Sequence, residues 1–416
     1  MVSTVQPEIE ASLDERVLFH LSACSNLLAG ATGADLETRL REKISSSLAA
    51  NAAGVGPWDI VWGPAVRRFD TSLFAVNTMY LARDRDRPER YVLAVSGTTS
   101  PHPFDWLAQE VLVAAQVPWP NLPDARISLA AAIGLNILQR VAPSGDRAGA
   151  GLPVRRFLRE LTDTNIELTV VGHGLGGMLA PALAVWLRDT RTRWNPGGSA
   201  RVNTVVTGGP TVGNGVFAAH ADRVLSAATR FANALDIVPC AWNVAALEDA
   251  KRIYTTHLAD VAGPLYQCGQ KVVAGADYQH IDPKAREIAS EMNTAVIDES
   301  APAWANFAAQ AAHQHGPAYA EYFRIPGVTT PEIVGPGTAV DVLLGPVLRA
   351  AATRAGTPVP PELVMVAPGA ESGDVVEATV PVGGRVARLG DDPRSASARG
   401  LVGTLTSSLR AEAPSR

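Results

Sequence analysis

Residues 166–182 read IELTVVGHGLGGMLAPA, and this stretch constrains the fold of the chain more than any other. A β-branched run enters a glycine-rich turn, and residues that favour a helix leave it. A strand that turns directly into a helix is typical of folds in which helices cover a mostly parallel sheet. Further strand and helix patterns alternate on both sides of this stretch. The sequence therefore predicts an α/β fold with helices on both faces of the sheet.

The glycine-rich turn fits two known motifs. Gly172, Gly174 and Gly177 satisfy G-x-G-x-x-G, the loop that binds a dinucleotide. That function also needs an acidic residue at the end of the next strand. Here the next strand, VNTVVTGG at 202–209, ends in two glycines. A nucleotide-dependent oxidoreductase therefore becomes the distant alternative.

The second motif is the nucleophile elbow G-x-S-x-G, in which small residues flank a nucleophile on a sharp strand-to-helix turn. Gly172 and Gly176 occupy the two small positions, but Gly174 stands where the motif has serine. A plain strand–helix turn without any chemistry fits these letters equally well. The motif by itself therefore does not decide the function.

Other segments of the chain extend the elbow interpretation. They are VLAVSGTTSPHPFDWL (92–107), TGGPTVGNGVFA (207–218), NALDIVPCAW (233–242) and QHGPAYAEYF (314–323). Together with VVGHGLGG they resemble segments of the class 3 lipases, an α/β-hydrolase family, over roughly residues 55–325. The resemblance implies an α/β-hydrolase fold and hydrolysis of carboxylic esters by a Ser-His-Asp triad through an acyl-enzyme.

The resemblance also implies roles for individual residues. It makes Gly174 the nucleophile position, Asp236 the triad acid and His315 the triad base, with His313 as the alternative base. The order elbow, acid, base is the chain order of the α/β hydrolases. Backbone N–H groups of Thr98 and Leu175 are the expected oxyanion donors.

On the substrate side, we expect contacts from His173, His102, Phe104 and Trp106. The stretch 108–150 would hold the lid or acyl-pocket helices of this fold, although the apolar run ISLAAAIGLNIL fits a buried core helix equally well. The implied partner is a small-molecule or lipid ester. Contact with a lipid interface and the oligomeric state remain open.

Glycine at position 174 changes what such a site can do. Glycine has no attacking atom, so no acyl-enzyme can form on that residue. Loss of the nucleophile lowers kcat about a million-fold in a serine protease. Because the other site segments are intact, we favour an inactivated copy of an ester hydrolase. A natural pseudo-hydrolase that binds a lipid or ester without turnover is the alternative.

Composition excludes several function classes. The 416-residue chain has a formal net charge of −5, so it lacks the basic surface that nucleic acid requires. Its three cysteines do not have metal-ligand spacing, and we expect neither a metal nor a cofactor. No apolar run is long enough to span a membrane, and the N-terminus lacks the apolar core of a signal peptide. We expect a bacterial protein that is cytoplasmic, or secreted with its signal removed.

The chain divides into three expected parts. Residues 1–54 form a helical segment packed on the core, residues 55–330 form the hydrolase domain, and residues 331–416 form a C-terminal extension whose last ~30 residues are peripheral. The expected helices lie within 8–53, at 105–118, 127–142 and 154–164, directly after Gly174, and near 213–226; the expected strands lie at 59–63, 73–84, 90–97, 166–171, 202–209 and 228–234.

Overall fold

The computed structural model describes residues 11–28, 31, 33–67, 77–96, 113, 115–161, 165–255, 258, 270, 273–301, 303–331 and four short strands between 365 and 388. Within these ranges, no helix is both long enough and apolar enough to cross a membrane.

In chain order the strands are β1 (Trp58–Arg67), β2 (Asn77–Asp84), β3 (Arg90–Ser96), β4 (Gln116–Trp119), β5 (Leu122–Ser128), β6 (Glu167–His173), β7 (Arg201–Thr207), β8 (Gly213–Asn214), β9 (Ala227–Asn233), β10 (Tyr278–Gln279), β11 (Arg286–Ile288), β12 (Met365–Val366), β13 (Val375–Val376), β14 (Thr379–Val382) and β15 (Arg385–Arg388).

The helices are α1 (Leu13–Cys24), α2 (Leu36–Ala50), α3 (Ala52–Val55), α4 (Leu129–Arg140), α5 (Val154–Glu160), α6 (Leu175–Asp189), α7 (Arg191–Trp194), α8 (Gly215–Val224), α9 (Val244–Ala250), α10 (Ala303–His315) and α11 (Pro317–Tyr322). Single 3₁₀ turns lie at Val238–Cys240 and Thr294–Val296.

A seven-stranded sheet forms the centre of the molecule, in the order β1-β2-β3-β6-β7-β9-β11. The first three strands pair antiparallel, and all later neighbours pair parallel. The carboxyl ends of β6, β7 and β9 therefore meet at one edge of the sheet, where α/β folds place their sites. The predicted α/β-hydrolase fold, with its mostly parallel sheet, is confirmed.

Both faces of the sheet are covered by helices, and the alternation of strand side chains explains why. In β3, Tyr91, Leu93 and Val95 join the core under α4 and α6. The intervening Val92 and Ala94 join the core under α1 and α2. Every side chain of β3 is buried, as a strand covered on both faces requires. The two predicted N-terminal helices are confirmed as α1 and α2.

A second sheet, which the sequence did not predict, has the strand order β10-β8-β5-β4-β14-β15. It corrects the end of the helix expected at 105–118, because Gln116–Trp119 form β4 and pair antiparallel with β5. The physical reason lies in Pro118, since the residue before a proline is disfavoured in the α region. Residues 105–112 and 114 of that prediction lie outside the described part of the chain.

Helix α4 lies in the stretch 108–150, where the sequence predicts a lid, an acyl pocket or a buried core helix. Its N-cap is Ser128, whose side chain accepts a hydrogen bond from the N–H of Ala131 at 3.0 Å. A Cβ added at Gly134 would lie 2.5 Å from Cδ2 of Leu179 in α6. This close approach makes α4 part of the packed core.

Candidate active site

The site is built around the turn between β6 and α6. Gly174 occupies this turn with φ 55° and ψ −124°, a left-handed conformation that glycine adopts without a steric cost. Its N–H donates to the carbonyl of Thr207 at 3.0 Å, and its carbonyl accepts from the N–H of Met178 at 3.2 Å. The residue is therefore held at the start of α6, at the carboxyl edge of the sheet.

The flanking glycines permit close contact between the strand and the helix. A Cβ at Gly172 would lie 2.2 Å from the carbonyl oxygen of Gly176. A Cβ at Gly177 would lie 2.9 Å from Cα of Gly209, just beyond β7. Real side chains do not fit at these distances, so the glycine spacing reflects the packing of α6 against β6 and β7.

Asp236 and His315 form a buried pair beside this turn. Oδ2 of Asp236 lies 2.8 Å from Nδ1 of His315, and their side chains are 0% and 4% exposed. Asp236 follows β9, and its Oδ1 accepts the N–H of Val238 at 3.0 Å. His315 is the last residue of α10. A carboxylate in this position holds an imidazole in one orientation with its proton on Nδ1.

Gly174 lies directly in front of the imidazole. A Cβ added at Gly174 would be 2.7 Å from Nε2 of His315. The structure thus brings Gly174, Asp236 and His315 together, as the sequence predicts. The alternative base, His313, lies elsewhere, with Nδ1 3.2 Å from the side-chain amide nitrogen of Asn293.

A tyrosine and an asparagine support the carboxylate from behind. The hydroxyl of Tyr319 donates to Oδ2 of Asp236 at 3.1 Å and accepts the N–H of Asn233 at 2.9 Å. The Asn233 side chain donates to the carbonyl of Gln314 at 2.8 Å. Burial and the charge of Asp236 raise the pKa of Tyr319 well above its ordinary value, so its hydroxyl remains a donor. Sequence reasoning assigned neither residue a role, although both lie within the quoted motifs.

His173 holds the backbone of His315 in place. Its Nε2 lies 2.8 Å from the carbonyl oxygen of His315, and its Nδ1 lies 2.9 Å from Oγ1 of Thr207. Burial lowers the pKa of His173 well below its ordinary value, so the ring is neutral. Nε2 then donates to the carbonyl, while Nδ1 accepts from the threonine hydroxyl. This placement corrects the substrate contact expected of His173, because both ring nitrogens are used inside the protein.

Gly208 allows the end of β7 to approach the same groups. It has φ +61°, and a Cβ there would lie 3.1 Å from Oδ2 of Asp236 and 3.1 Å from Cε1 of both His173 and His315. Each glycine of the pair Gly208-Gly209 is therefore required because neighbouring atoms leave little room for a side chain. Gly208 makes room for the buried pair, and Gly209 makes room for α6.

Leu175 is the first residue of α6, immediately after Gly174. The first N–H groups of a helix have no partner within the helix and carry a partial positive charge. The backbone of Leu175 can therefore donate to an oxyanion formed beside Gly174. The other predicted residues of this part of the site, Thr98, His102, Phe104 and Trp106, lie outside the described residues.

Comparisons with known proteins agree with this architecture. Residues 150–245 match the family model for lipase (class 3). The chain is similar to the solved structure of M37 lipase, with 26% identity and a TM-score of 0.65 over 81% of this chain and 99% of that chain. It also matches lipase II from Rhizopus niveus, with 18% identity and a TM-score of 0.36 over 55% of this chain and 72% of that chain. No curated protein matches the chain.

The family match includes the turn at Gly174 and the acid at Asp236, and the similarity to M37 lipase spans nearly all of that enzyme. Both comparisons indicate a hydrolase of lipase or esterase type. Together with the mostly parallel sheet, they show that this chain has an α/β-hydrolase fold and is similar to the class 3 lipases.

Proposed function

We propose that this chain binds carboxylic esters, and lipid esters in particular, at the site formed by Gly174, Asp236, His315 and the backbone N–H of Leu175. The observation that carries the proposal is the convergence of three separate segments. Nδ1 of His315 lies 2.8 Å from Asp236, while Nε2 of the same ring faces Gly174. This is the arrangement of acid and base that activates a serine in ester hydrolysis.

Each group has a defined task in that chemistry. His315 accepts a proton through Nε2, and Asp236 stabilises the imidazolium that forms. The N–H of Leu175 donates to the oxyanion, and one such donor commonly contributes about 3 kcal/mol to the transition state. Because Gly174 has no hydroxyl, the serine route is closed, and the site is an ester hydrolase inactivated at its nucleophile position.

A protein that binds a lipid or ester without turnover is the second candidate. Gly174 itself favours it, because every other described group of the site is in place while the attacking atom is missing. Both candidates predict ester binding. They differ in what a restored hydroxyl would do.

The substitution Gly174→Ser separates the two candidates. The new Cβ needs the His315 ring to shift, since 2.7 Å is below the 3.0 Å that real Cβ contacts keep. We expect the variant to hydrolyse p-nitrophenyl esters at least about 10³ times faster than the unmodified chain. A fluorophosphonate should label residue 174, as peptide mass spectrometry would show.

Gly174→Ala is the matched control, because it adds the same Cβ and the same backbone strain without a hydroxyl. It should show neither the rate increase nor the label. If Gly174→Ser stays folded but inert on short, medium and long acyl esters, the hydrolase proposal fails and the binding protein remains.

A further inference from the structure

The imidazole of His315 occupies space that a nucleophile side chain would need. A Cβ at Gly174 would meet Nε2 at 2.7 Å and Cε1 at 3.3 Å. The ring nitrogen therefore lies close to where the first atoms of that side chain would be. We propose that Nε2 of His315 is itself the nucleophile of this chain, and that it carries the acyl group of an activated ester as an acyl-imidazole. This inference rests on the proposed ester-binding function of the same site.

The hydrogen bond to Asp236 determines which nitrogen can attack. Nδ1 donates its proton to Oδ2 at 2.8 Å, so Nε2 carries the free electron pair. That pair faces Gly174, which has no side chain of its own to cover it. Histidine is one of the side chains that form covalent intermediates in enzymes. The carboxylate of Asp236 stabilises the positive charge of an acylated imidazole, as it would stabilise a protonated one.

The surroundings hold the ring in the attacking orientation. His173 donates to the carbonyl of His315 at 2.8 Å, and the two ring centroids lie 4.6 Å apart. Tyr319 and the N–H of Val238 hold the two oxygens of Asp236. The neutral His173 ring adds no positive charge beside the acyl-imidazolium. A nucleophile held in one geometry needs little reorganisation to attack.

The step balances for an ester with a good leaving group, such as an aryl ester or a thioester. The Nε2 electron pair forms the bond to the carbonyl carbon, and the carbonyl oxygen becomes an oxyanion facing the N–H of Leu175. Collapse breaks the bond to the leaving group, which departs as phenolate or thiolate without needing a proton. Water then attacks the acyl carbon, the carbon–Nε2 bond breaks, and the electron pair returns to Nε2. The products are the carboxylate, the leaving group and protons released to solvent.

A carbamoylating probe can capture the intermediate. The full-length chain is incubated with p-nitrophenyl N,N-dimethylcarbamate, because a carbamoyl-imidazole hydrolyses far more slowly than an acyl-imidazole. We expect a burst of p-nitrophenolate approaching one equivalent, and a dimethylcarbamoyl group on His315 in peptide mass spectrometry. His315→Ala should abolish both signals.

Two glycine variants test the geometry. Gly174→Ala adds a Cβ in front of Nε2 and should slow labelling of His315 at least about tenfold, because small displacements of a reacting atom are costly. Gly151→Ala is the matched control, since Gly151 also has a positive φ, of +74°, but no described residue lies within 4 Å of its added Cβ. It should leave the labelling rate within about twofold, since the site geometry is unchanged.

The labelling results distinguish the histidine nucleophile from the ester-binding function. Label on the new serine of Gly174→Ser, but none on His315 in the unmodified chain, overturns the histidine nucleophile and leaves the ester-binding function standing. The same conclusion follows if the label lies on another residue, or if Gly174→Ala is labelled at the unmodified rate. No label on either protein overturns both the histidine nucleophile and the hydrolase, and leaves only the protein that binds an ester without turnover.

Discussion

Gly208 shows how a residue without a side chain can determine a site. Asp236, His173 and His315 all lie 3.1 Å from the place where its Cβ would be. Each distance is tighter than ordinary van der Waals contact, and the three neighbours are fixed by hydrogen bonds to one another or to nearby groups. A side chain at this position would therefore push on the acid, the base and its support at once.

We expect Gly208→Ala to lower the hydrolysis rate of the Gly174→Ser enzyme about 10²-fold, because it displaces the imidazole from the reacting atoms. The positive φ adds a stability loss of about 1–3 kcal/mol. Ester kinetics and urea unfolding measure the two effects. Gly197→Ala is the control, with φ +72° and no atom of the structurally described part of the chain within 4 Å of the added Cβ, so it should reproduce only the stability loss. Equal loss of activity in both variants would contradict the steric argument.

At the scale of elements, helix α1 connects the N-terminal segment to the site. Phe19 stacks on Phe323 with ring centroids 4.5 Å apart, and its ring meets that of His173 edge-on at 6.1 Å. The next residue, His20, is 1% exposed, and neither ring nitrogen has a hydrogen-bond partner among the described residues. Burial lowers the pKa of His20 to about 4, so the folded helix accepts this ring only in its neutral form.

The buried histidine makes stability depend on pH. The unfolded chain binds a proton at His20 near pH 6.5, whereas the folded chain does so near pH 4. Its contribution to stability is therefore complete above pH 6.5 and is lost as the pH falls towards 4, by about 3 kcal/mol. We expect His20→Leu to remove this part of the acid sensitivity.

Urea unfolding at pH 7 and pH 4.5 measures the difference between the two proteins. Val17→Ala, on the same helix and also buried, should lower stability by a similar amount at both pH values. If His20→Leu loses as much stability on acidification as the unmodified chain does, His20 is not a source of the acid sensitivity.

At the scale of the whole molecule, Glu37 connects three parts of the chain. It lies in α2 and is 5% exposed. One carboxylate oxygen accepts the N–H of Val66 in β1 at 3.2 Å. The other accepts the Ser144 hydroxyl at 2.6 Å and lies 3.3 Å from the guanidinium of Arg147. The N-terminal helices are thereby tied to the edge of the central sheet and to the loop after α4.

Glu37→Ala should lower the free energy of unfolding by about 3–5 kcal/mol, because it leaves the buried N–H of Val66 without its acceptor and removes the carboxylate paired with the largely buried guanidinium of Arg147. Guanidinium unfolding followed by circular dichroism measures the change. The control is Asp35→Ala, which removes a solvent-exposed ion pair with Arg39 and should cost at most about 1 kcal/mol. Similar losses in the two variants would show that Glu37 does not connect these parts.

The strands and helices that were predicted correctly show a regular spacing of apolar or β-branched residues within their own sequence. The β-branched run before Gly174 and the helical spacing in α1 and α2 are visible locally, and each became the expected element. The second sheet had no such signal. Strands β8 and β10 contain two residues each, and two residues cannot show an alternating pattern. Gly213 is a strand residue because it pairs with Ile127 and Gln279, which are far away in sequence.

By itself, the sequence determined the α/β class, the elbow turn without a serine, and the order of Gly174, Asp236 and His315 along the chain. Local preference is enough for the α/β class, whereas the elbow and the site residues are what the resemblance to the class 3 lipases implied. Only the tertiary structure decided that His315 meets Asp236, that His173 supports the base, and that Nε2 lies within 2.7 Å of a Cβ at Gly174. His315 and Asp236 are 79 residues apart in the chain. The packing of α10 against the end of β9 sets their separation, and no local pattern encodes it.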